Sequence, residues 1–411
     1  NDAAPGPFEY IPENNTWTNN SEVHLAPLFI NQTAGNNSFW KIETGQAAGT
    51  HFEYVVGDVI YFDTAVSGSN NELHAYNTTN GTSWLVADID VGSSGSNPGY
   101  YMSPILVGEV LYFSANDGVD GHELWGFNTS NGSVWQVADI FSGVSGSNPG
   151  FYLELLVGDI LYFSANDGST GIELWAHNTS NHSTWQAADI HSTGSSTPGL
   201  HMYILVGDTM YFSATDGSTG SELWAHDTSN HSTWQVADIS SGSPDGSPGQ
   251  HMNPILIDDT LFFDADDGST GIELWAHDIT NHSTWQVADI RSGGLSSSPG
   301  LYMAVSVGDT VYFSANDGSV GHELWAHDTS NSSTWRVADI NSGGGHSSPG
   351  EYMELLVGDT IYFSAYEGTL TQRLWAHDTS NHTTWKVDDA GQNPSYPVSV
   401  GDTIYYSAQT D

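Results

Sequence analysis

The sequence contains no cysteine in its 411 residues. A disulfide framework and a thiolate metal site are therefore excluded, and cysteine usage does not indicate a redox compartment. No hydrophobic run approaches the roughly 20 residues that a membrane-spanning helix requires. Because the chain also begins at Asn1 rather than at a methionine, we expect a mature, soluble protein without membrane insertion, from which any secretion signal has been removed.

Basic residues are also scarce, with 5 Lys and Arg against 49 Asp and Glu, which gives a formal net charge of -44. The basic residues are Lys41, Arg291, Arg336, Arg373 and Lys386. Nucleic acids and anionic lipids are excluded as partners, since both are bound by clustered Lys and Arg. Charged residues make up only 13% of the chain, so the imbalance reflects missing bases more than added acids. The natural counterpart of such a surface is a cation or a salty medium.

An internal repeat organises nearly the whole chain. The tripeptide VGD, followed by an apolar run, recurs every 49 to 51 residues. The last copy follows the one before it by only 43 residues. Its glycine stands at Gly57, Gly108, Gly158, Gly207, Gly308, Gly358 and Gly401, with Asp258 in the variant copy. This period is the length of a four-stranded propeller blade.

Each period predicts four short strands. In the third period we place them at about 152–157, 160–165, 173–177 and 184–190. The second strand, ILYFSA, does not alternate apolar with polar residues, so both of its faces should be covered. The first strand carries prolines in several copies, which places it at a free edge lining a central channel. In a propeller, the turn between strands one and two shares one face with the turn between strands three and four.

The count of units predicts an all-β, eight-bladed β-propeller with four-stranded blades. Seven units are complete, residues 396–408 supply the first two strands of another, and residues 28–42 match strands three and four. We therefore assign residues 22–411 to the propeller, with 22–44 and 394–411 forming one split blade. The ring would be closed by pairing of the N-terminal and C-terminal strands. N-terminal strands that complete a neighbouring molecule's ring would have the same signature, so this alternative stays open.

The repeat resembles a named family, the ELWxxDGT repeat proteins, over residues 50–411. The residues that carry the resemblance are the DG-x-x-G-x-ELW run of 167–175, the V-x-DI of 236–239 and the SPG of 247–249. The match departs where the family has DGT, because this chain has DTSN. The resemblance implies a secreted, propeller-like surface or matrix protein of microbes, and it implies no catalytic residue.

One hairpin sequence, ELWAHDTSNHSTW, recurs along the chain with small changes. Every copy contains an N-x-S/T acceptor sequence for N-linked glycans. The acceptors, each four residues before a tryptophan, are Asn36, Asn80, Asn131, Asn181, Asn230, Asn281, Asn331 and Asn381. Three positions earlier, asparagine exchanges with aspartate, as in Asn178 and Asp227, which a turn-capping oxygen permits. The second asparagine never becomes aspartate. This restriction predicts a circle of covalent N-glycans on one rim.

Six further acceptor sequences bring the total to fourteen, and they lie at Asn14, Asn19, Asn31, Asn77, Asn128 and Asn178. We therefore expect N-linked glycans to cover much of the protein surface.

An enzymatic function is the less favoured alternative. The hairpin loosely resembles the Asp-box of sialidases, but those enzymes hold their substrate carboxylate with several arginines, and this chain has only three. Asp264, Asp266 and Asp267 offer a carboxylate pair for glycoside hydrolysis, a glycan-processing activity. Loop-capping aspartates are the simpler interpretation, so we expect no enzyme and no catalytic residue.

Metal binding is a second alternative. Asp117, Asp167, Asp216, Asp267 and Asp317 follow strand two, while Asp139, Asp189, Asp238, Asp289 and Asp339 lie near the end of strand four. Both groups should face one side, where Ca²⁺ is a conceivable ligand, although no cofactor is required. Paired histidines such as His177 and His182 flank a turn, and we interpret them as solvent-facing filler rather than as a zinc site.

Residues 1–21 form an N-terminal extension that looks linker-like yet carries Phe8, Tyr10, Ile11 and Trp17. Docking of these side chains on the next molecule would be a head-to-tail contact, and repetition without closure generates a filament.

We therefore predict a non-enzymatic, extracellular or cell-surface structural glycoprotein whose partners are itself and glycans. A lectin-like propeller or adhesin is the alternative. Under that alternative an aromatic or histidine at the start of strand one, as at Tyr152, His201, His251, Tyr302 and Tyr352, would contact sugar. Packing between blades is the simpler role for these residues.

Overall fold

The computed structural model describes most of the chain. The described ranges are 8–11, 16–19, 29–31, 38–40, 48–65, 70–92, 94–342, 344–368, 371–387, 391–400 and 403–409, with side chains only after residue 50. The chain divides into two compact units, Asn1–Ala187 and Ala188–Asp411. Within the described ranges every regular element is a strand. None of these residues forms a helix long and apolar enough to cross a membrane.

The first unit contains two hairpins and three four-stranded antiparallel sheets. The hairpins are β1 (Phe8–Ile11) with β2 (Thr16–Asn19), and β3 (Phe29–Asn31) with β4 (Ser38–Trp40). Sheet 1 comprises β5 (Ala48–Val56), β6 (Val59–Ala65), β7 (Asn71–Asn77) and β8 (Thr82–Ala87). Sheet 2 comprises β9 (Ile105–Val107), β10 (Val110–Asn116), β11 (His122–Asn128) and β12 (Val134–Ala138). Sheet 3 comprises β13 (Glu154–Val157), β14 (Ile160–Asn166), β15 (Ile172–Asn178) and β16 (Ser183–Ala188).

The second unit contains four such sheets and one further hairpin. Sheet 4 comprises β17 (Tyr203–Val206), β18 (Thr209–Thr215), β19 (Ser221–Asp227) and β20 (Ser232–Ala237). Sheet 5 comprises β21 (Ile255–Ile257), β22 (Thr260–Asp266), β23 (Ile272–Asp278) and β24 (Thr284–Ala288). Sheet 6 comprises β25 (Ala304–Val307), β26 (Thr310–Asn316), β27 (His322–Asp328) and β28 (Ser333–Ala338). Sheet 7 comprises β29 (Glu354–Val357), β30 (Thr360–Tyr366), β31 (Gln372–Asp378) and β32 (Thr383–Lys386), and the last hairpin pairs β33 (Gln392–Val400) with β34 (Thr403–Gln409).

Consecutive sheets within each unit pack face to face. In sheet 5, Leu261 and Phe263 pack against sheet 4 beside Tyr211, whereas Phe262 faces sheet 6 beside Val311. Both faces of the second strand are therefore buried, which confirms the expectation from its unalternated sequence. Seven four-stranded meanders, packed face to face within each unit, are consistent with a propeller.

The predicted strands of the third period are confirmed to within a few residues, as β13 to β16 show. The extension at residues 1–21 differs from the linker-like prediction, because β1 pairs with β2 and Phe8 stands opposite Asn19. The aromatic and β-branched residues of this extension favour β-strands over an irregular linker. The side chains of Phe8, Tyr10, Ile11 and Trp17 lie outside the described residues.

The glutamate of the ELW motif binds the linker that leads to the next sheet. In sheet 5, the Glu273 carboxylate is fully buried and accepts hydrogen bonds from the backbone N–H of Ile290 (2.8 Å) and Ser297 (3.0 Å) and from the Ser297 hydroxyl (2.6 Å). Its partners are the isoleucine of the later D-I segment and the residue directly before S-P-G, so the two separated halves of the repeat motif meet here. Glu72 and Glu123 make the same three contacts. Glu222 accepts the N–H groups of Ile239 and Gly246, and Glu323 accepts the Ile340 N–H and the Ser347 hydroxyl.

Burial of these carboxylates raises the pKa of each one, and the pKa of Glu222 reaches about 7. The amide donors offset part of the cost of desolvation, so the site holds a carboxyl group without a basic partner. In sheet 7 the equivalent residue is Arg373, whose Nη1 donates to the Gly391 carbonyl instead.

A buried histidine anchors the hairpin between strands three and four. His277 is fully buried, its Nδ1 lies 2.9 Å from the Thr284 hydroxyl, and its ring lies 5.5 Å from that of Tyr211 in sheet 4. The interpretation of the paired histidines as solvent-facing filler is therefore wrong for the inner member, because both faces of this strand are covered. The outer member, His282, is exposed at the hairpin tip.

Loss of the buried carboxylate should destabilise the fold. In Glu273→Ala, the amides of Ile290 and Ser297 lose their buried acceptor, and we expect the free energy of unfolding to fall by on the order of 4 kcal/mol. Equilibrium urea unfolding measures the change. The control is Asp309→Ala, which removes the same charge from an exposed turn; equal stability of the two variants would contradict the role of Glu273.

The buried histidines should make the fold sensitive to acid. Burial, followed by the nearby His282, lowers the pKa of His277 from 6.5 to about 4. The neutral ring therefore contributes stability above pH 6.5, and about 1.4 kcal/mol per pH unit is lost as the pH falls from 6.5 towards about 4. Replacing His277 by Phe and Thr284 by Val reproduces Phe127 opposite Val134 in sheet 2, so the variant should fold.

The double variant should lose that part of the pH dependence, as measured by urea unfolding at several pH values. His282→Ser, which reproduces Ser332 of sheet 6, serves as the exposed control and should keep most of the slope, because burial is the larger cause of the lowered pKa of His277. An unaltered slope in the double variant would mean that His277 does not titrate as described.

Candidate functional site

The hairpin between strands three and four is built as a capped turn. In sheet 4, Asp227 Oδ1 accepts hydrogen bonds from the Ser229 N–H (2.8 Å) and the Ser229 hydroxyl (2.6 Å). The N–H of His231 donates to the Asp227 carbonyl at 2.8 Å, and His231 has a φ of 60°. A left-handed residue directly after Asn230 places that asparagine at the tip of the loop.

The hairpin tip and the turn between strands one and two lie at the same end of each sheet. Thr228 donates to the Asp208 carbonyl through both its N–H (2.8 Å) and its hydroxyl (2.9 Å). The equivalent backbone bonds link Thr78 to Asp58, Thr129 to Glu109, Thr179 to Asp159, Ile279 to Asp259, Thr329 to Asp309 and Thr379 to Asp359. The expectation that both turns share one face is therefore confirmed in all seven four-stranded sheets.

The acceptor asparagine of each described hairpin is exposed and has a fixed orientation. Asn230 Oδ1 accepts the N–H of Ser232, two residues later, at 2.9 Å. The same bond is made by Asn80, Asn131, Asn181, Asn281, Asn331 and Asn381, all of which are exposed. Because the oxygen is held by the turn, the amide nitrogen lies on the other side of the amide group. We call these seven residues the hairpin border.

The hairpin border differs between the first three sheets and the last four. Where the capping residue is aspartate, its second oxygen accepts the acceptor's Nδ2, as between Asn230 and Asp227 at 2.6 Å. Hydrogen bonds from the hydroxyl and N–H of Ser229 lower the pKa of Asp227, so this carboxyl stays ionised. The equivalent Nδ2 bonds join Asn281 to Asp278, Asn331 to Asp328 and Asn381 to Asp378.

In the first three sheets an asparagine is the cap. Asn178 Oδ1 accepts the N–H groups of Ser180 (2.9 Å) and Asn181 (3.0 Å), and Asn77 and Asn128 do the same. The exchange of asparagine and aspartate therefore conserves an acceptor oxygen. These three predicted acceptors are half-buried at the base of the loop, unlike the asparagine at the tip. The side chains of Asn14, Asn19, Asn31 and Asn36 lie outside the described residues.

The aspartates considered for calcium cap the loop after strand two. Asp167 Oδ1 accepts the N–H groups of Ser169 (2.8 Å) and Thr170 (2.7 Å). Asp117, Asp216, Asp267 and Asp317 make the same two bonds. Within the described ranges, no three imidazole or carboxylate groups are placed to hold one metal ion. Calcium binding stays a hypothesis.

The residues considered for catalysis serve separate structural contacts. Asp264 is fully buried and accepts hydrogen bonds from the Met252 N–H (3.0 Å) and from His251 Nδ1 (3.0 Å), while Asp266 accepts the N–H of Gly268 at 2.8 Å. The arginines lie in the linker after sheet 5, in sheet 6 and in sheet 7. Arg291 donates to the Ser296 carbonyl, Arg336 pairs with Asp317, and Arg373 donates to the Gly391 carbonyl.

The chain is similar to several solved structures, among them a designed protein, BamB and a peptidase. The computationally designed Ika8 protein is 10% identical, with 89% of this chain and 94% of that chain covered and a TM-score of 0.44. BamB from Moraxella catarrhalis is 14% identical, with coverage of 93% and 95% and a TM-score of 0.42. A prolyl endopeptidase is 10% identical with a TM-score of 0.45, and this chain, 83% of which is covered, spans only 49% of it. At such identities these similarities carry no information about activity.

No curated protein matches the sequence. A family model described as outer membrane protein assembly factor BamB matches residues 30–281 and again residues 158–411. Each match spans more than half of the chain, and the repeated match agrees with the repeated sheets. The chain therefore belongs to this family of BamB-like repeat proteins.

Proposed function

We propose that the protein is a non-enzymatic structural glycoprotein of the cell surface, which carries N-linked glycans on its hairpin border and assembles head to tail. The observation that carries the proposal is the repeated geometry of the acceptor asparagine. In each of the seven four-stranded sheets, the hairpin between strands three and four has an exposed asparagine at the same position, at the end of the sheet. The resemblance to the ELWxxDGT repeat proteins points in the same direction.

The local geometry suits the attachment of a glycan. N-glycosylation replaces one hydrogen of the asparagine Nδ2, so one N–H remains on the linkage. In the last four sheets this remaining N–H has an ionised acceptor at hand, as Asn230 has in Asp227. The carboxylate would then orient the first sugar. Because Asn230 makes its other contacts within the turn, bulky carbohydrate adds no strain to the packed sheets.

The absence of a catalytic function is part of the proposal. It is supported by the engagement of Asp264, Asp266 and the three arginines in separate turns and sheets. A glycoside hydrolase requires two carboxyl groups that face one substrate, about 5 to 10 Å apart. Asp264 is turned inward against His251, so it is not available for such a pair.

Ring closure is the third part. The hairpin of β3 and β4 and the hairpin of β33 and β34 each contain half the strands of a blade. Together they would form an eighth blade and remove two open edges. The extension at residues 1–21, which contains the hairpin of β1 and β2, would then be available for a neighbouring molecule.

Glycosylation is tested by removing one acceptor hydroxyl. Ser232→Ala abolishes the acceptor sequence of Asn230 without changing the asparagine, and it should lower the intact mass of the glycoprotein by one glycan. Ser229→Ala, in the same loop but outside the acceptor sequence, is the control and should keep that glycan. Peptide mass spectrometry of native material should find sugar on the hairpin border, and seven bare asparagines would refute the proposal.

Assembly and closure are tested together by deleting residues 1–21. We expect the native chain to form polymers in electron micrographs and the truncated chain to form single particles with eight blades, because the extension supplies only the contact between molecules. Polymers that survive the deletion would exclude the extension as the connector. Seven blades or an open ring would exclude closure by the terminal strands.

A further inference from the structure

A cluster of aromatic side chains lies at the opposite end of the sheets of the first unit from the hairpin border. Here the linker from each sheet contains a Pro-Gly pair, and the two residues that directly follow it lie a few positions before the next first strand. In the linkers before sheets 2 and 3 these two residues are Tyr100-Tyr101 and Phe151-Tyr152. We call these four residues with His51 the aromatic surface.

The rings of the aromatic surface form a continuous chain. The ring centroids are 4.8 Å apart for His51 and Tyr100, 4.8 Å for Tyr100 and Tyr101, 5.3 Å for Tyr101 and Phe151, and 4.5 Å for Phe151 and Tyr152. Successive tyrosine and phenylalanine rings meet edge to face, at 87° for Tyr100 with Tyr101 and at 84° for Tyr101 with Phe151. In this arrangement each ring is held by its neighbours, so the surface is preorganised.

Two of the aromatic residues are about half exposed, although other copies of the repeat pack without an aromatic residue at this position. Tyr100 is 50% exposed and Phe151 is 51% exposed. The equivalent residues after the other Pro-Gly pairs are Leu200, Gln250, Leu301 and Glu351. Since leucine, glutamine and glutamate serve equally well in those copies, the fold does not need an aromatic residue at this position. The departure from the repeat therefore indicates a role outside the fold.

A fixed polar group borders the same surface. His51 is about one-third exposed, and its Nδ1 lies 3.5 Å from Asp63 Oδ2. Asp63 is fully buried, and its Oδ1 accepts the N–H groups of His51 (3.2 Å) and Phe52 (3.0 Å). In sheets 2 to 4 and in sheets 6 and 7 this position is a serine, as in Ser114. The carboxylate holds the imidazole beside Tyr100 and leaves Nε2 on the ring's far side from Asp63.

The acidic groups beneath the surface are turned inward. Asp63 is held as described, Glu123 binds the linker amides of Ile140 and Ser147, and Glu154 accepts the N–H of Ser103 at 2.8 Å. A carboxylate beside the rings would favour an organic cation, and these three carboxylates are engaged by donors of the protein itself. An anionic ligand is opposed by the net charge of -44.

We propose that the aromatic surface binds a neutral saccharide. The C–H face of a pyranose packs on the exposed faces of Tyr100 and Phe151, where the ring quadrupole is negative. Sugar hydroxyls then bond to the imidazole of His51 and to the tyrosine hydroxyls, which gives an apolar platform a few placed polar groups. This site goes beyond the structural role proposed above and does not depend on glycosylation of this chain.

The variant that removes the aromatic surface takes its replacement residues from other copies of the repeat. Tyr100→Leu with Phe151→Glu reproduces Leu301 and Glu351, the residues at the equivalent positions of sheets 6 and 7, so the double variant should fold. Circular dichroism and the urea midpoint check that it does. Leu200→Ala, at the same repeat position outside the aromatic surface, is the control variant.

Binding is measured by saturation-transfer NMR on the full chain, produced in a host that adds no N-glycans. The probes are hexasaccharides of glucose, mannose, galactose and N-acetylglucosamine, with tetramethylammonium chloride as the cation probe. We expect at least one hexasaccharide to bind the wild type and the control variant equally and to bind the double variant at least tenfold more weakly. Equal binding of a saccharide by the double variant, or binding of tetramethylammonium without any saccharide, would overturn the proposal.

A second arm identifies the source of the sugar. Glycans released from native protein are offered in the same assay to the unglycosylated chain. Their binding, lost in the double variant, would support the site and identify a second copy of this chain as the donor. Binding of the free hexasaccharides alone would support the site and identify an external polysaccharide. Binding of neither would overturn the proposal while leaving the occupancy of the hairpin border to be measured by mass.

Discussion

A carboxylate buried among backbone amides is the contact on which each repeat depends. Glu273 binds Ile290 and Ser297, and this fixes the linker so that the following Pro-Gly arrives where Gly300, with a φ of 76°, packs on Met252. A Cβ at Gly300 would lie 2.5 Å from the Met252 Cβ, so no other residue fits there. An anionic acceptor suits several N–H donors at once. With only 5 basic residues in the chain, amides rather than cations compensate the buried charge, and one sheet is thereby positioned to start the next.

The strands could be predicted from the sequence because repeated copies average out local ambiguity. The strand limits of sheet 3, the shared end of the two turns and the buried second strand all follow from turn residues and apolar runs. The role of Glu273 could not be predicted, since its partners lie 17 to 24 residues away and a charged residue is normally placed at the surface. The difference between His277 and His282 was also hidden. When both faces of a strand are covered, alternation no longer separates buried from exposed positions.

The two ends of each sheet are under different constraints. At the hairpin end, the cap and the tip residue change only in ways that keep an acceptor oxygen, so Asn178 and Asp227 make the same two bonds to the backbone. The constraint is local and identical in every copy, which is why the hairpin border could be predicted from the sequence. At the opposite end, the residue after Pro-Gly is fixed mainly through its backbone, as by the bond from the Tyr100 N–H to the Asn97 carbonyl. Its identity is free to vary, and a site formed there cannot be recognised until the rings are seen to meet.

Paired exchanges between copies show which departures from the repeat the fold can absorb. Phe127 stands opposite Val134 where sheets 3 to 7 have histidine opposite threonine, because a buried imidazole without its hydroxyl partner would be costly. Asp63 and Asp264 replace a serine, and each has a histidine beside it, at His51 and His251. For Phe127 and Val134 one change accounts for the other, so packing explains both. At the two aspartates the carboxylate is fixed by backbone amides and in turn holds the histidine beside it. Tyr100 and Phe151 have no such compensating exchange among the described residues, and about half of each residue is exposed, 50% and 51%. Packing within the repeat therefore does not account for these two rings, whereas the proposed saccharide site does.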